Sequence, residues 1–341
     1  MAERHHPLRG AASIIGVGST DYAALKVRSE AVPPLDLAAM AIDAALADAD
    51  LARADIDALT TMGLPWDQLA VREGLRDLRV TVEYAAGGRW VVPALQHAVQ
   101  SVAAGSADTV LLVLALSRLA TYEDSAAPGT NTLFEAMHAM GGPAAHSALM
   151  ARRYSHEFGD CSAALRQVAR SNRANAALNP AAVFRQPMTD ADYDGARLIA
   201  EPLRLFDYCM VNDGAVALIV TNTPAGPAGR AVAIGGLAAS ADQGAHYSAA
   251  DFYHRPSQAA AAEMFAMAGL APSDIDLIQI YDNYTPSVLF ALDGFGFTPR
   301  GEAARFVEAG HITRDGSLPL NTSGGHTSEA YMQGMNLVAE A

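Results

Sequence analysis

Few residues in this sequence are of a type and spacing suited to covalent or metal chemistry. Of 23 basic residues only Lys26 is a lysine, so a Schiff-base enzyme would depend on that one amine. It follows a loop-like Thr20-Asp21-Tyr22 stretch near the N-terminus. The ten histidines show neither HExxH nor a comparable ligand spacing, so no metal site is predicted. Cys161 and Cys209 stand far apart with no CxxC, which fits a reducing cytoplasm and excludes a disulfide scaffold. Gly16-x-Gly18 lacks the third glycine of a dinucleotide fingerprint and reads as a strand-end turn. Oxygen chemistry remains. Tyr281-Asp282 ends an apolar run, and Gly324-Gly325-His326 is followed by Ser328-Glu329-Ala330-Tyr331. Each has a plain structural alternative. Either tyrosine could be a packed aromatic, Asp282 could polarise a hydroxyl or cap the next helix, and His326 could line a pocket or sit on a surface loop.

The elements that must position these residues alternate between strand and helix. Residues 12–17 read as a strand, 35–49 as an alanine-rich helix, 56–62 as a strand and 67–75 as a helix. Residues 78–84 alternate like a strand, Gly87-Gly88 leads into a helix to about 104, and 108–116 has the Val/Leu content of a buried strand. From about 117 to 206 the pattern becomes mostly helical, with helices at 144–157 and 162–177, and reads as an insertion covering the sheet. Strands resume at 215–221, 231–237 and 277–281, with helices at 257–268, from about 286 and from about 328. Leu51-Ala52-Arg53-Ala54-Asp55-Ile56-Asp57 recurs 219 positions later as Leu270-Ala271-Pro272-Ser273-Asp274-Ile275-Asp276, each copy between a helix and an apolar strand. The expected class is therefore a layered α/β fold built from two similar halves. The first is residues 1–225, including the insertion, and the second is 226–341.

Three stretches carry a family resemblance. The run Arg204-Leu205-Phe206-Asp207-Tyr208-Cys209-Met210-Val211-Asn212-Asp213-Gly214-Ala215-Val216-Ala217 is similar to the thiolase signature ending in (S/N)DGAAA. Tyr281-Asp282-Asn283-Tyr284-Thr285 resembles the HDCF(S/T) element of sterol-carrier-protein-type thiolases, with Tyr284 at the phenylalanine position and read as structural. Asn321-Thr322-Ser323-Gly324-Gly325 resembles the NxxGG that leads to the thiolase GHP. The resemblance implies a thiolase fold in an α-β-α-β-α arrangement. It also implies two closing strands, the second with a CxGGG loop, so the end at Ala341 reads as incomplete.

The departures from the pattern are as telling as the matches. The nucleophile motif CxSGxxA aligns on the helix so that Gly88 stands where the cysteine should be. Tyr331 replaces the GHP histidine and Tyr281 replaces the first histidine of HDCF. Without a nucleophile there is no acyl-enzyme chemistry; two phenols offer proton donors with reference pKa values of about 10. With SEAYxxGMN after the double glycine, the pattern resembles the steroid side-chain-cleaving aldolases once called lipid-transfer proteins. That resemblance implies retro-aldol cleavage of a β-hydroxyacyl-CoA into a ring ketone and propionyl-CoA, with the CoA thioester as substrate and no cofactor. It implies Tyr281, Tyr331 and Asp282 as catalytic residues, with Gly88, Gly324, Gly325 and His326 lining the substrate and oxyanion pocket. Two other functions stay open: an acyltransferase subunit with a cysteine elsewhere, and a non-catalytic lipid or acyl-CoA carrier.

Charge and composition narrow the setting. A formal charge of −14 argues against nucleic acid, which needs a basic face. No apolar run approaches the length of a membrane span, and Met1–Gly10 holds no export signal, so a cytoplasmic enzyme is expected. The resemblance also implies an OB-fold, zinc-ribbon accessory protein in a heterotetramer, and a homodimer through the sheet edge, with 108–116 taken as the edge strand.

Overall fold

The computed structural model describes residues 6–28, 30–117, 137–138, 143–222, 231–241 and 249–341. Its strands are β1 (Ser13–Ser19), β2 (Ala58–Met62), β3 (Val80–Tyr84), β4 (Thr109–Leu116), β5 (Leu198–Ala200), β6 (Leu203–Arg204), β7 (Gly214–Thr221) and β8 (Val232–Ala233). The helices are α1 (Tyr22–Lys26), α2 (Pro34–Ala49), α3 (Trp66–Glu73), α4 (Val91–Ala103), α5 (Pro143–Phe158) and α6 (Ser162–Leu178), then α7 (Asp190–Asp194), α8 (His254–Ala268), α9 (Thr285–Gly294), α10 (Ala303–Glu308), α11 (Gly325–Ser328) and α12 (Met335–Glu340).

The main sheet has the order β3-β2-β4-β7-β1-β8. β2 is parallel to both β3 and β4, while β7 is antiparallel to β4 and β1. Strand periodicity explains why β4 is apolar throughout. Val110, Leu112 and Leu114 face one core with Ala94, Ala98 and Val99 of α4. Leu111, Val113 and Ala115 face the other with Leu37, Ala41 and Ile42 of α2. A strand covered on both faces cannot alternate with polar residues, and each fully buried Leu or Val contributes roughly 1.5–3 kcal/mol.

This order corrects one expectation. The segment 108–116 is not an edge, because β4 lies between β2 and β7; its hydrophobicity reflects that central place. The edge beside β2 is β3.

The repeat is structural as well as sequential. Arg53–Asp55 and Pro272–Asp274 are both 3₁₀ turns, in which Asp55 and Asp274 accept the backbone N–H of Ala52 and Ala271 at 2.8 Å each. The preceding helices α2 and α8 both end in a left-handed residue, Asp50 and Gly269. The chain segment below each helix approaches it so closely that only glycine fits. A Cβ on Gly16 would fall 2.6 Å from the Ala45 carbonyl, and one on Gly236 would fall 2.4 Å from the Met264 carbonyl. Ala45 and Met264 are themselves 219 positions apart.

The second half is less regular than its sequence suggests. Of the predicted strand 231–237 only Val232–Ala233 forms a strand, extended by Ile234, whose N–H donates to the Ala12 carbonyl (3.0 Å) and whose carbonyl accepts the Gly10 N–H (2.9 Å). The predicted strand 277–281 makes a single parallel bridge, Ile278 to Leu320, matching the parallel pairing of β2 with β3. Beyond the bridge the side chain of Asn321 replaces a backbone partner: it accepts from the Ile280 N–H (2.8 Å) and donates to the Ile280 carbonyl (3.0 Å). Between residues 236–238 and 277–281 lies an apolar cleft of about 520 Å³. In the first half the equivalent gap holds β4 and β7, and Tyr281 lines one end of this cleft.

The predicted final helix is also broken. α11 stops at Ser328 and α12 begins at Met335, with Gln333 and Gly334 at φ 54 and 97 between them. Tyr331 therefore sits in a loop, against whose start Val183 and Phe184 N–H donate to the Glu329 and Ser328 carbonyls at 2.9 and 3.0 Å. The described part of the insertion is helical (α5 to α7) except for the β5–β6 ribbon. Its residues 118–136 and 139–142 lie outside the described residues.

Candidate active site

The extended segment ending at Tyr281 and the loop between α11 and α12 converge on the head of α4. There the hydroxyls of Tyr281 and Tyr331 are 2.8 Å apart and share a hydrogen bond. Gly88 opens the 3₁₀ turn that leads into α4, and the Tyr281 ring lies directly over it. A Cβ at Gly88 would fall 2.4 Å from both the hydroxyl oxygen and Cε2 of Tyr281. The space that a side chain at position 88 would need is thus filled by the phenol.

Behind the pair lies His326, fully buried. Its ring meets Tyr281 edge-on at 4.6 Å between centroids and Tyr331 at 5.1 Å. Burial pushes its pKa down to about 3, so the ring is neutral. Its Nε2 is 3.2 Å from Asn336 Oδ1. The amide of Asn336 is fixed because its Nδ2 donates to Glu329 Oε2 (2.8 Å) and to the Ala330 carbonyl (3.1 Å). An amide oxygen can only accept, so Nε2 carries the ring proton. Nδ1 faces Asp282 Oδ1 at 3.4 Å, too far for a good hydrogen bond. With the ring neutral, the two are not an ion pair.

Asp282 is fully buried, and burial raises its pKa to about 6. One oxygen accepts the backbone N–H of His326 at 2.8 Å. The other accepts Asn172 Nδ2 at 2.7 Å and the Thr327 N–H and hydroxyl at 3.3 and 3.2 Å. These bonds tie the carboxylate to the α11 turn. Gly324 and Gly325 make the turn possible. Both have positive φ, and a Cβ would strike Ala176 at 2.6 Å and Asp282 at 2.5 Å respectively.

The structure brings Tyr281, Tyr331 and Gly88 together at one point; Asp282, expected as a catalytic residue, and His326, Gly324 and Gly325, expected to line the pocket, lie buried behind the pair as its support. The sequence reading missed most of that support. Along α6, Asn172 reaches Asp282, Asn175 donates to the Leu320 and Asn321 carbonyls (2.9 and 3.1 Å), and Arg173 donates to the Ser328 hydroxyl (3.0 Å). Just past its end, Asn179 reaches Ser323 and Glu329. The signal was three asparagines at 172, 175 and 179, one helical face, in an otherwise alanine-rich run. Asn212, inside the signature stretch, accepts the Tyr331 N–H at 2.7 Å.

The other chemistry-bearing side chains lie elsewhere. Cys161 lies beside Ser155, and burial pushes its thiol pKa up; neither it nor Cys209 is at the head of α4. Lys26 ends α1, its ammonium on the Val211 carbonyl at 3.2 Å. Among the described residues no group of three or more His, Cys, Asp or Glu could hold a metal ion.

Comparison with known proteins agrees with this geometry. A family model described as Thiolase C-terminal domain-like matches residues 238–341. Over 98% of its length the chain is 38% identical to the 17-hydroxy-3-oxo-4-pregnene-20-carboxyl-CoA lyase of Mycobacterium tuberculosis, covering 91% of that protein. Over the same share it is 36% identical to the steroid side-chain-cleaving aldolase of Thermomonospora curvata, covering 90% of it. The solved Ltp2-ChsH2(DUF35) aldolase superposes with a TM-score of 0.88 at 34% identity, over 98% of this chain and 89% of that one. The human mitochondrial 3-ketoacyl-CoA thiolase shares the fold, with a TM-score of 0.69 at 14% identity over 99% of this chain and 92% of that one. The chain belongs to the thiolase-fold family of steroid side-chain-cleaving aldolases.

Proposed function

We propose that the protein is a carbon–carbon lyase that cleaves a steroid-type β-hydroxyacyl-CoA by a retro-aldol reaction. The observation that carries this reading is the hydrogen-bonded pair Tyr281–Tyr331 standing over a residue with no side chain. Removal of the substrate hydroxyl proton turns the C–O bond into a ketone. The bond between the β- and α-carbons breaks, and its electrons enter the thioester enolate. A proton then reaches the α-carbon, giving a ring ketone and propionyl-CoA.

A free phenolate would be scarce at neutral pH, but the pair avoids that requirement. Tyr331 takes the hydroxyl proton as its own passes across the 2.8 Å bond to Tyr281, and Tyr281 releases one to the enolate. Both phenols begin and end neutral, and no lysine, metal or cofactor enters. The backbone amide of Gly88, at the head of α4, is the group we assign to the developing enolate oxygen.

The partner protein present in the solved Ltp2-ChsH2(DUF35) assembly supports an accessory subunit here too, which we read as an OB-fold, zinc-ribbon protein. A homodimer would use the exposed edge of β3. A monomer by light scattering of the purified complex would remove that part of the reading. No helix among the described residues is long and apolar enough to cross a membrane, and we place the enzyme in the cytoplasm.

The test is chemical. Tyr281→Phe and Tyr331→Phe each remove one hydroxyl and almost no volume, so folding survives while turnover falls about 10²–10⁴-fold, the usual worth of a general acid or base. Ketone and acyl-CoA release is followed by mass spectrometry. Wild-type cleavage by both variants would overturn the reading.

A further inference from the structure

Behind the tyrosine pair stands a buried carboxylate that takes no part in the proton transfer. Glu329 lies two residues before Tyr331 and is almost fully buried. It faces three donors: the Ser323 hydroxyl (2.7 Å) and Asn336 Nδ2 (2.8 Å) on one oxygen, and Asn179 Nδ2 (3.2 Å) on the other. No described arginine or lysine pairs with it. Two of these groups, the Asn179 and Asn336 amide nitrogens, can only donate, whereas the Ser323 hydroxyl can also accept. Asn179 has no freedom to adapt, since its Oδ1 accepts the Ala181 N–H (3.0 Å) and cannot turn to receive a proton.

From Glu329 the hydrogen bonds run in one direction. The ionised carboxylate orients Asn336, whose Oδ1 then holds His326 in the tautomer with the proton on Nε2. His326 presents its ring to both phenols. We propose that Glu329, Asn336 and His326 form a positioning chain that sets the orientation of the Tyr281–Tyr331 pair, with Glu329 as its titrating end. None of the three touches the reacting atoms.

When Glu329 takes up a proton, the Ser323 hydroxyl is the one of the three that can accept its O–H, which places the proton on Oε2. Oε2 is then a hydroxyl oxygen and a poor acceptor, so the Asn336 bond on that same oxygen weakens, and the Asn336 amide can rotate once released. His326 then loses its fixed partner, and the packing of the two rings changes. The groups facing Glu329 are Ser323, Asn179 and Asn336, with the carboxylate of Glu340 and the hydroxyl of Tyr22 nearby. Burial first, then Glu340, pushes the Glu329 pKa up to about 7, so the change falls near neutrality. Only the kinetic consequence rests on the lyase reading; the coupling itself is a property of the free protein.

The experiment therefore needs no substrate. Protein carrying ¹³Cζ-tyrosine gives resonances for Tyr281 and Tyr331, assigned with the two Phe variants and followed through neutral pH. The expected result is that both shift in a titration near neutrality, and that Glu329→Gln abolishes it. Asn336→Ser leaves the carboxylate in place but cuts the link, and it should abolish the tyrosine response as well. This second variant keeps the test valid should Glu329→Gln fail to fold. Resonances that do not titrate in the wild type, or a titration unchanged in a folded variant, overturn the proposal. Wild-type cleavage by both Phe variants, beside an intact tyrosine titration in the wild-type protein, would overturn the lyase reading alone.

Discussion

Gly88→Ala is the sharpest perturbation the site offers. An added Cβ would fall 2.4 Å from the hydroxyl and Cε2 of Tyr281 and 2.6 Å from Cζ. Ordinary contact is about 3.4 Å or more, so the ring must retreat by about 1 Å. It has little room to do so, because His326 packs on it at 4.6 Å and Gly334 lies just behind, where even an added Cβ would be 3.1 Å from Cδ2. The retreat lengthens the 2.8 Å hydroxyl contact beyond hydrogen-bonding range. A misplacement of ~1 Å at reacting groups costs about 10²-fold in rate, and overpacking costs roughly 1–3 kcal/mol of stability. Gly87→Ala is the control, since its Cβ meets nothing nearer than Trp90 at 3.4 Å, and its φ of 162° is extended backbone open to any residue. The assay is steady-state cleavage beside thermal melting. If Gly88→Ala cleaves at the wild-type rate, or Gly87→Ala is damaged equally, the argument that Tyr281 occupies the vacated position fails. Gly88→Cys should suffer like Gly88→Ala and gain no thiolase activity.

Three other outcomes are expected. Lys26→Arg should leave turnover intact and borohydride with substrate should trap nothing on Lys26, read by mass spectrometry; loss of turnover in a folded variant would reinstate an imine mechanism. Asn212→Ala strips the acceptor from the Tyr331 N–H, so kcat should fall with KM little changed and stability should drop ~1–3 kcal/mol. The folded-state pKa of Glu329 is raised to about 7 from an ordinary 4.5, so the folded chain binds more protons between those values. The contribution of this group is complete below the lower value and is lost as pH rises through the window. Buried His326, lowered to about 3, works in the opposite sense below pH 6.5. Glu329→Gln should therefore make the pH slope of stability more favourable toward neutrality by up to ~3 kcal/mol, whatever it does to the absolute level. An unchanged slope in urea titrations would refute the assignment.

The legible and illegible parts of the sequence divide along physical lines. Strands β2, β4 and β7 and helices α2 and α4 were readable because each must satisfy a period against a continuous core. The 277–281 strand and the helix from about 328 were overread because local pattern does not reveal partners. Asn321 completes the ladder by its side chain, and Gly334 breaks the helix at a position whose sequence still looks helical. The central place of β4 was hidden for the same reason: a run of Val and Leu reports burial, not strand order. At the site, Tyr281, Tyr331 and Gly88 were visible as departures from a known motif. The asparagines of α6 and the Glu329–Asn336–His326 chain were not, because a buried polar residue looks the same in sequence as an exposed one.

The loss of a nucleophile and the gain of two tyrosines are best understood as one change. A histidine at position 281 would leave space above position 88 for a cysteine. The phenol of Tyr281 reaches further and fills that space. Once it does, position 88 tolerates only glycine, and the hydroxyl stands where a thiolate would have attacked. Tyr331 completes the exchange, since its 2.8 Å bond to Tyr281 turns two weak acids into a single unit able to accept and donate in one event. Intermediate combinations are sterically or chemically poor: a cysteine under the phenol is overpacked, and a glycine under a histidine is an empty site. The geometry therefore predicts that activity depends on the three positions together. The penalties of Gly88→Ala and Tyr281→Phe should be far from additive in the double variant, because each already disables the same hydroxyl pair. Additive losses in kcat would mean that position 88 acts on something other than Tyr281.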